Sequence, residues 1–368
     1  MTLPPTVLVP LLAAAGALLA TPAVMSLARR FDLFDRPADR KVHDDASIPR
    51  LGGLAIVLPT LVASLAAVLV EPTATALRHA LPLLATVAVS GLGVFMMGLA
   101  DDLAGLRPRT KLAVQAAAAT AVFLAGARID HLELPPFGPL PLGWLSYPLT
   151  LLWILGLTNA LNLIDGLDGL AAGVGTITAG VLAAFALLRG DVVTALPMLA
   201  LGGALVGFLV YNFNPARIFM GDSGSQFVGF VLASISLVGY YKATTAAALA
   251  LPLLALGVPI FDMLLAIARR VLAGRSPLAA DREHIHHRLL DRGLPHRAAV
   301  LALYAATAVV AGLGLVMTVW RDLRALGVFV GAGVFLVLLF ALSGVPPLAR
   351  KSGAKAPRAG ELPRDALP

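Results

Sequence analysis

The sequence predicts an all-α polytopic membrane protein with about eleven transmembrane helices. Of its 368 residues, 58% are hydrophobic and 13% are charged, and the mean hydropathy is +0.87. Soluble domains carry about a quarter charged residues, so this chain lies far from that class. Eleven mostly apolar stretches, each close to the roughly 20 residues that cross a bilayer, follow one another along it. We predict one integral-membrane domain over residues 1–345 and a polar, disordered tail over 346–368.

The predicted spans share an apolar composition and are bounded by charged or proline- and glycine-rich loops. They cover residues 4–27, 51–70, 80–100, 112–128, 147–161, 169–188, 193–211, 223–240, 245–268, 298–319 and 325–343. The first has no basic residue before it and two arginines after it, the reverse of a cleaved signal peptide. The ninth carries Pro252 and Pro259, which a span tolerates when neighbouring helices satisfy the freed carbonyl groups. The loop 129–146 is rich in proline and glycine and predicts a small hairpin.

The distribution of basic residues predicts the orientation of these spans. Alternate loops hold 22 of the 28 lysine and arginine residues. Because basic residues accumulate in cytoplasmic loops, we predict a periplasmic N-terminus and a cytoplasmic C-terminus. The net charge of +7 and the membrane setting favour anionic lipids or an anionic substrate as partners, rather than nucleic acid. The absence of cysteine excludes disulfide and thiolate chemistry.

A cluster of polar residues follows the fifth predicted span. Its members are two amides and two carboxylates at a spacing of three, Asn159, Asn162, Asp165 and Asp168. Residues three apart share one face of a helix, whereas Gly166 and Gly169 predict that the helix ends here. Polar groups at a membrane boundary are costly and usually functional. A helix cap with a solvated turn is the alternative, and it accounts for one aspartate more easily than for four polar residues.

Carboxylates and basic side chains recur at other cytoplasmic ends of predicted spans. Asp101 and Asp102 end the third span, Lys111 precedes the fourth, and Asp222 precedes the eighth. Mg²⁺ is bound by one or two carboxylates together with water and substrate phosphates. Basic side chains beside them could neutralise a diphosphate, so the combination points to phosphoryl transfer. An interfacial network of salt bridges is the alternative interpretation.

Two further motifs are a Gly-Asp-Ser-Gly segment and a group of three histidines, and each can be interpreted in more than one way. The segment 221–224 reads Gly-Asp-Ser-Gly, as in chymotrypsin-type proteases, but those proteases are β-barrels and this segment opens a membrane helix. We therefore interpret it as a helix start. His284, His286 and His287 lie in a basic loop, which suits an anionic ligand or proton handling near neutral pH. A solvated cytoplasmic helix is the alternative.

Six segments in this order resemble the polyprenyl-phosphate N-acetylhexosamine-1-phosphate transferases over about residues 25–345. The matching segments are 40–56, 98–115, 158–173, 211–230, 259–262 and 281–293. The resemblance implies that a polyprenyl phosphate, usually undecaprenyl phosphate, attacks the β-phosphorus of a UDP-N-acetylhexosamine and releases UMP. It also implies a requirement for Mg²⁺, with Mn²⁺ as a substitute. A multi-pass protein of the bacterial inner membrane and a homodimer are further expectations of the resemblance.

The resemblance assigns roles residue by residue. It implies catalytic roles for Asp101, Asp102, Asp222, His286 and His287. Asp222 resembles the principal Mg²⁺ ligand, with Asp102 and Asp165 as further ligands, and Asp101 resembles the base or phosphate-positioning group. The implied substrate contacts are Lys41, Lys111, Asn159, Asn162, Asp165, Asp168, Asn212, Phe219, Arg282 and His284. By this resemblance, Lys41 and Lys111 are expected to contact phosphate, and Asn212 and Phe219 are expected to contact uridine. Arg282 and His284 match the loop that closes over the diphosphate and sugar in the family.

The number of spans and the histidine motif distinguish between the branches of the family, which use different donor sugars. Eleven spans and a His-x-His-His motif favour the branch that uses UDP-N-acetylglucosamine over the branch that uses UDP-N-acetylmuramoyl-pentapeptide. Other UDP-N-acetylhexosamine donors remain alternatives. Gly105 stands where a third acid would complete a two-metal motif, which disfavours a two-metal site.

An ion-coupled transporter is a rival class, but transporters place acids at the bilayer midplane within repeats, and the chain shows no repeat.

Overall fold

The computed structural model describes residues 3–31, 33, 48–70, 73–134, 138–243, 246–276, 284–318 and 323–342. Lys41, Arg282 and the tail 346–368 lie outside the described residues, so the predictions for them stay predictions. Within the described ranges, helix is found in every predicted span. The helices are α1 (Pro5–Arg30), α2 (Gly52–Ala67), α3 (Ala74–Ala104), α4 (Pro108–Leu124), α5 (Ser146–Leu163), α6 (Leu170–Leu188), α7 (Val192–Asn212), α8 (Gly221–Ala243), α9 (Ala246–Ala255), α10 (Gly257–Leu272), α11 (Ile285–Asp291), α12 (His296–Met317) and α13 (Leu323–Leu342).

The protein is an all-α, multi-pass membrane protein. In the part of the chain that the structure describes, seven helices are long and apolar enough to cross a membrane, or eight if one bent pair counts as a single span. Helix α2 is apolar but shorter, with 16 residues. The fold class is therefore confirmed, whereas the number of eleven spans and their orientation stay predictions.

The ninth predicted span is broken into α9 and α10, which meet at an angle of 76°. Pro259 lies in the first turn of α10 and has no N–H to donate to the carbonyl oxygen of Ala255, four residues earlier. The Thr178 hydroxyl on α6 donates to that oxygen at 3.1 Å. A neighbouring helix thus satisfies the freed carbonyl group, as the sequence predicted for this proline-containing span.

The predicted hairpin between α4 and α5 is confirmed. Strands β1 (His131–Leu134) and β2 (Gly138–Pro141) pair antiparallel, with His131 opposite Pro141 and Leu134 opposite Gly138. A single 3-10 turn, Gly143–Leu145, then leads into α5. The hairpin lies at the end of α5 opposite the Asn/Asp cluster, and it takes no part in the site described below.

Helix α8 is the central element of the bundle, and it packs against α2, α3, α5, α6, α7 and α9. Phe227 and Phe230 on α8 are fully buried. Glycines allow the neighbouring backbones to approach closely: a Cβ at Gly229 would lie 2.8 Å from the Thr158 Cα on α5. Such packing fixes the position of α8 along its axis, and with it the position of the first turn that carries Asp222.

The polar motifs meet at one end of the bundle. Asp101 ends α3 and Lys111 begins α4, while the Asn/Asp cluster ends α5 and Asp222 begins α8. Consecutive helices joined by short loops run in opposite directions, so the end of one helix lies beside the start of the next. This arrangement agrees with the prediction that the motifs lie on one face of the membrane.

Two glycines of α3 provide a matched test of this packing. A Cβ at Gly98 would lie 2.6 Å from the Ser223 Cα and 2.7 Å from the Asp222 carbonyl oxygen, whereas a Cβ at exposed Gly93 meets nothing within 4 Å. We expect Gly98→Ala to lower the free energy of unfolding by about 1–3 kcal/mol, because backbone atoms must move. Gly93→Ala should change it by less than about 1 kcal/mol. Thermal unfolding in detergent measures both, and equal effects of the two substitutions would contradict the packing described here.

Candidate active site

The centre of the site is a lysine between two carboxylates from different helices. The Lys111 ammonium nitrogen on α4 lies 2.6 Å from Asp101 Oδ2 on α3 and 3.1 Å from Asp222 Oδ2 on α8. Asp101 Oδ1 also accepts the Leu106 N–H at 2.6 Å, which holds the carboxylate at the turn between α3 and α4. The Asp222 side chain is 34% exposed, so one of its faces remains open to a ligand. The structure thus brings together three residues that are up to 121 positions apart in the sequence.

Asp102 holds the start of α8. Its two carboxylate oxygens accept the backbone N–H groups of Asp222 at 2.8 Å and Ser223 at 3.0 Å. These are donors that a helix N-terminus leaves without an intrahelical partner. Gly221 has φ +74°, and a Cβ there would lie 2.6 Å from Asp102 Oδ2, so this position requires glycine. The structure thus shows Asp102 of α3 capping the N-terminus of α8. The metal-binding and catalytic roles of Asp102 stay predictions.

The start of α8 is also held by the segment that leads into α2. The Phe219 N–H donates to the Pro49 carbonyl oxygen at 2.8 Å, and the Gly52 and Gly53 N–H groups donate to the carbonyl oxygens of Phe219 and Met220 at 3.0 Å each. A Cβ at Gly52 would lie 2.3 Å from the Phe219 carbonyl oxygen. The glycine pair is therefore needed for this close backbone pairing, and it orients the residues immediately before Asp222.

Amide side chains continue the site into the bundle. Asn162 Nδ2 donates to Asp222 Oδ1 at 3.2 Å and to Ser225 Oγ at 2.8 Å. Below it, Asn159 Nδ2 donates to Gln115 Oε1 at 2.8 Å, and Gln115 Nε2 donates to Gln226 Oε1 at 2.9 Å. Asn159 is thus joined to a buried network, and its predicted contact with substrate stays a prediction.

Sequence reasoning missed Gln115 and Gln226. Both are buried, and each lies four residues after a site residue, Lys111 and Asp222 respectively, on the same helix. A polar amide one helical turn inside an apolar span, on the face of a charged residue at its end, is a signal that could have identified them.

Asp168, in the turn between α5 and α6, and Asn212, the last residue of α7, are both buried against the loop between α7 and α8. Asp168 Oδ2 accepts hydrogen bonds from Asn214 Nδ2 and the Ala216 N–H, both at 3.0 Å. Asn212 Nδ2 donates to the Ile218 carbonyl oxygen at 2.9 Å. Both side chains shape the loop 213–220 that leads to Asp222, and their predicted substrate contacts stay predictions.

The histidine loop approaches the Asn/Asp cluster from the other side. The His286 side chain is 1% exposed, and its Nε2 would lie 2.6 Å from a Cβ placed at Gly166. Among the described residues, neither ring nitrogen of His286 has a hydrogen-bond partner. Burial, together with the neighbouring histidines, lowers the pKa of His286 well below its ordinary value, so the ring is neutral near pH 7. A neutral ring can donate one hydrogen bond and accept another, and the described residues use neither capacity of His286.

The other predicted residues lie around this centre. Asp165 is half-buried in the turn between α5 and α6, and Phe219 is buried in the segment before α8. The His287 ring lies 4.3 Å from the His286 ring, measured between centroids. His284 is bound to Asp262 on α10, as described below.

The site has the donors that a hard cation needs, in a limited arrangement. In the described ranges, no group of three or more histidine, aspartate or glutamate side chains is placed to hold a metal ion, so Asp222, Asp102 and Asp165 do not form one three-ligand cluster. Asp101 and Asp222 nevertheless hold one cation, the Lys111 ammonium, between their oxygens. Mg²⁺ commonly takes one or two carboxylates and fills its other positions with water and phosphate oxygens. The residues present therefore fit Mg²⁺ bound together with a phosphate-bearing substrate.

Comparison with known proteins agrees with the six motifs. Residues 84–240 match glycosyl transferase family 4. The chain is 37% identical over 332 residues to a Bacillus subtilis protein named "Probable undecaprenyl-phosphate N-acetylglucosaminyl 1-phosphate transferase", covering 89% of each chain. It is 38% identical to a "Decaprenyl-phosphate N-acetylglucosaminephosphotransferase" of Mycolicibacterium smegmatis, over 95% of this chain and 91% of that one. A "Phospho-N-acetylmuramoyl-pentapeptide-transferase" of a Synechococcus strain is 36% identical, over 84% of this chain and 91% of that one.

These relatives match over nearly their full length, and the family that the sequence motifs predicted is confirmed. The chain belongs to glycosyl transferase family 4.

Proposed function

We propose that the protein transfers N-acetylglucosamine-1-phosphate from UDP-N-acetylglucosamine to a polyprenyl phosphate. A phosphate oxygen of the lipid forms a bond to the β-phosphorus of the donor, and the bond to the leaving UMP breaks. The products are UMP and a lipid-linked diphospho-sugar. One observation carries the proposal: Lys111 lies between Asp101 and Asp222, at the end of the bundle where the Asn/Asp cluster also lies.

On the acceptor side, Lys111 and Asp101 position the lipid phosphate. The Lys111 ammonium can exchange a carboxylate contact for a phosphate oxygen, because its three protons serve several acceptors. Asp101, held by Leu106, keeps the ammonium in place from the side of α3. A phosphate monoester is already largely ionised near pH 7, so positioning matters more than proton removal in this step.

On the donor side, Asp222 would hold Mg²⁺ through its exposed face, with Asp101 beside it. The ion, when bound, supplies positive charge that offsets the charge developing on the diphosphate. Asn162 donates to Asp222 Oδ1 and keeps that carboxylate oriented from α5. His286, neutral and without a protein hydrogen-bond partner among the described residues, offers its ring to the diphosphate or sugar beside Gly166.

The two substrates require the site to lie at one particular surface of the membrane. A lipid acceptor requires a site at the membrane surface, and a nucleotide-sugar donor requires access from the cytoplasm. We propose that the end of the bundle carrying Asp101, Asp165 and Asp222 faces the cytoplasm at the inner bacterial membrane. The excess of basic residues in the loops at this end supports that orientation.

The most direct test of the proposed function is the reaction itself. The purified protein, mixed with UDP-N-acetylglucosamine, a polyprenyl phosphate and Mg²⁺, should release UMP and form the lipid-linked diphospho-sugar. EDTA should stop the reaction, and added Mg²⁺ or Mn²⁺ should restore it, because Asp222 would hold the ion together with the substrate phosphates. Release of UMP without the lipid acceptor would indicate a hydrolase instead.

The proposed role of Asp222 can be tested by substitution. Asp222→Asn keeps the shape of the side chain but removes its charge, so we expect turnover to fall by about 100-fold or more. Asp191 provides a control, because it caps α7 at the opposite end of the bundle by accepting the Thr194 N–H. Asp191→Asn should leave UMP release near the wild-type rate. Near-normal turnover by the Asp222 variant would remove this residue from the proposed mechanism.

The identity of the donor sugar can be tested by comparing two donors. In parallel assays, UDP-N-acetylglucosamine should give a higher kcat/KM than UDP-N-acetylmuramoyl-pentapeptide, as the names of the relatives with 37% and 38% identity suggest. The measurement is UMP release with each donor at matched concentrations. A preference for the pentapeptide donor would place the protein with the muramoyl-pentapeptide branch.

A further inference from the structure

A buried aspartate on α10, Asp262, takes no part in the transfer mechanism proposed for Asp101, Lys111 and Asp222. Its side chain is 1% exposed, although α10 lies outside the group of helices that carry the lysine and aspartates of the centre. A carboxylate buried this deeply is costly unless hydrogen bonds or an ion pair compensate for its lost hydration. The contacts that provide this compensation indicate what Asp262 does.

Both oxygens of Asp262 bind the histidine loop. Asp262 Oδ2 lies 2.9 Å from His284 Nδ1, and Asp262 Oδ1 accepts the Ile285 N–H at 3.1 Å. The Ile285 N–H belongs to the first turn of α11, where backbone donors lack helical partners. One carboxylate thus fixes a side chain and the adjoining peptide, so both the position and the direction of the loop are set where α11 begins.

This fixed point is transmitted to His286. The rings of His284 and His286 are parallel within 3°, with centroids 5.7 Å apart. Ile285, between them, is fully buried. Because His284 and Ile285 cannot shift without breaking bonds to Asp262, His286 is held with its Nε2 towards Gly166 in the Asn/Asp cluster. Asp262 itself touches neither the cluster nor the carboxylates of the centre in any described contact.

We propose that Asp262 is a positioning residue for the transfer reaction: it clamps His284 and the start of α11, and thereby presents His286 to the diphosphate-sugar. The contact also orients the His284 ring, because its Nδ1 faces Asp262 Oδ2 at 2.9 Å. This inference rests on the proposed function, because it gives His286 a substrate to meet.

The experiment uses the full-length protein in detergent with four variants, Asp262→Ala, Asp262→Asn, His284→Ala and the double variant Asp262→Ala/His284→Ala. Three quantities are measured: kcat and KM for UMP release, hydrogen–deuterium exchange of the peptide covering residues 284–291, and thermal unfolding. Asp191→Asn again serves as the control for loss of a helix-capping aspartate away from the site. A merely structural role would lower the unfolding temperature but would not change kcat or local exchange selectively.

We expect Asp262→Ala to lower kcat by about 10-fold or more, the size of effect seen when a partner that orients a functional histidine is removed. Exchange over 284–291 should accelerate, whereas it should stay at the wild-type rate in Asp191→Asn. The double variant should fall little further than the worse single variant, because both substitutions break the same contact.

Asp262→Asn separates clamping of the backbone from orientation of the His284 ring. Its amide oxygen can still accept the Ile285 N–H, but an NH₂ group would replace the carboxylate oxygen that faces His284 Nδ1. Exchange should therefore stay slow while kcat falls. This variant also keeps the test decisive if Asp262→Ala fails to fold.

The two proposals can fail separately. If the wild-type protein releases no UMP, the proposed function fails, and exchange over 284–291 in Asp262→Ala still decides whether the clamp exists. If the wild type is active and Asp262→Ala keeps its kcat, or if the effects of Asp262→Ala and His284→Ala simply multiply in the double variant, the positioning role is wrong.

Discussion

The capping of α8 by the Asp102 carboxylate is the interaction on which the candidate site depends. Asp102 belongs to α3, yet its carboxylate accepts hydrogen bonds from the backbone N–H groups of Asp222 and Ser223, the second and third residues of α8. A helix start that is bound in this way cannot rotate or slide relative to α3. Asp101 is the residue that precedes Asp102 in α3, so the same interaction sets the distance between Asp101 and Asp222 that Lys111 bridges. The two adjacent aspartates therefore have different partners. Asp101 binds the Lys111 ammonium, and Asp102 caps α8.

A second constraint is the need to satisfy polar groups inside an apolar bundle. Asn162 binds Asp222, and the chain Asn159–Gln115–Gln226 extends the hydrogen bonding one helical turn deeper. Each unsatisfied polar group in such surroundings would cost on the order of a few kcal/mol, so the amides specify one arrangement of α4, α5 and α8. Asp168 and Asn212 likewise form hydrogen bonds with the loop that leads to Asp222. The geometry of the site is thus maintained by groups that need not touch a substrate.

Much of the architecture was accessible from the sequence. Apolar runs of spanning length predicted helices that the structure contains, and proline at 259 predicted a carbonyl group that Thr178 now satisfies. Gly166 and Gly169 predicted the break between α5 and α6, and the proline-rich loop predicted the hairpin β1–β2. The recognised motifs also predicted which residues converge, because Asp101, Lys111, Asn162 and Asp222 are joined directly. The sequence did not identify Gln115, Gln226 or Asp262 as partners in these contacts. The sequence around a single polar residue in a span does not show which distant residue it will contact.

The sequence by itself determined the class of the protein, the helices and the family, because hydrophobic length, glycine and proline positions and short polar motifs are all local properties of the chain. Only the tertiary structure decided which oxygen of which aspartate meets which donor. Asp101 and Asp102 are neighbours in the sequence, but successive residues of a helix point about 100° apart, so one turns towards Lys111 and the other towards the start of α8. Likewise, the contact between Asp262 and His284 arises from the fold around the bend at Leu256, which orients α10 independently of α9.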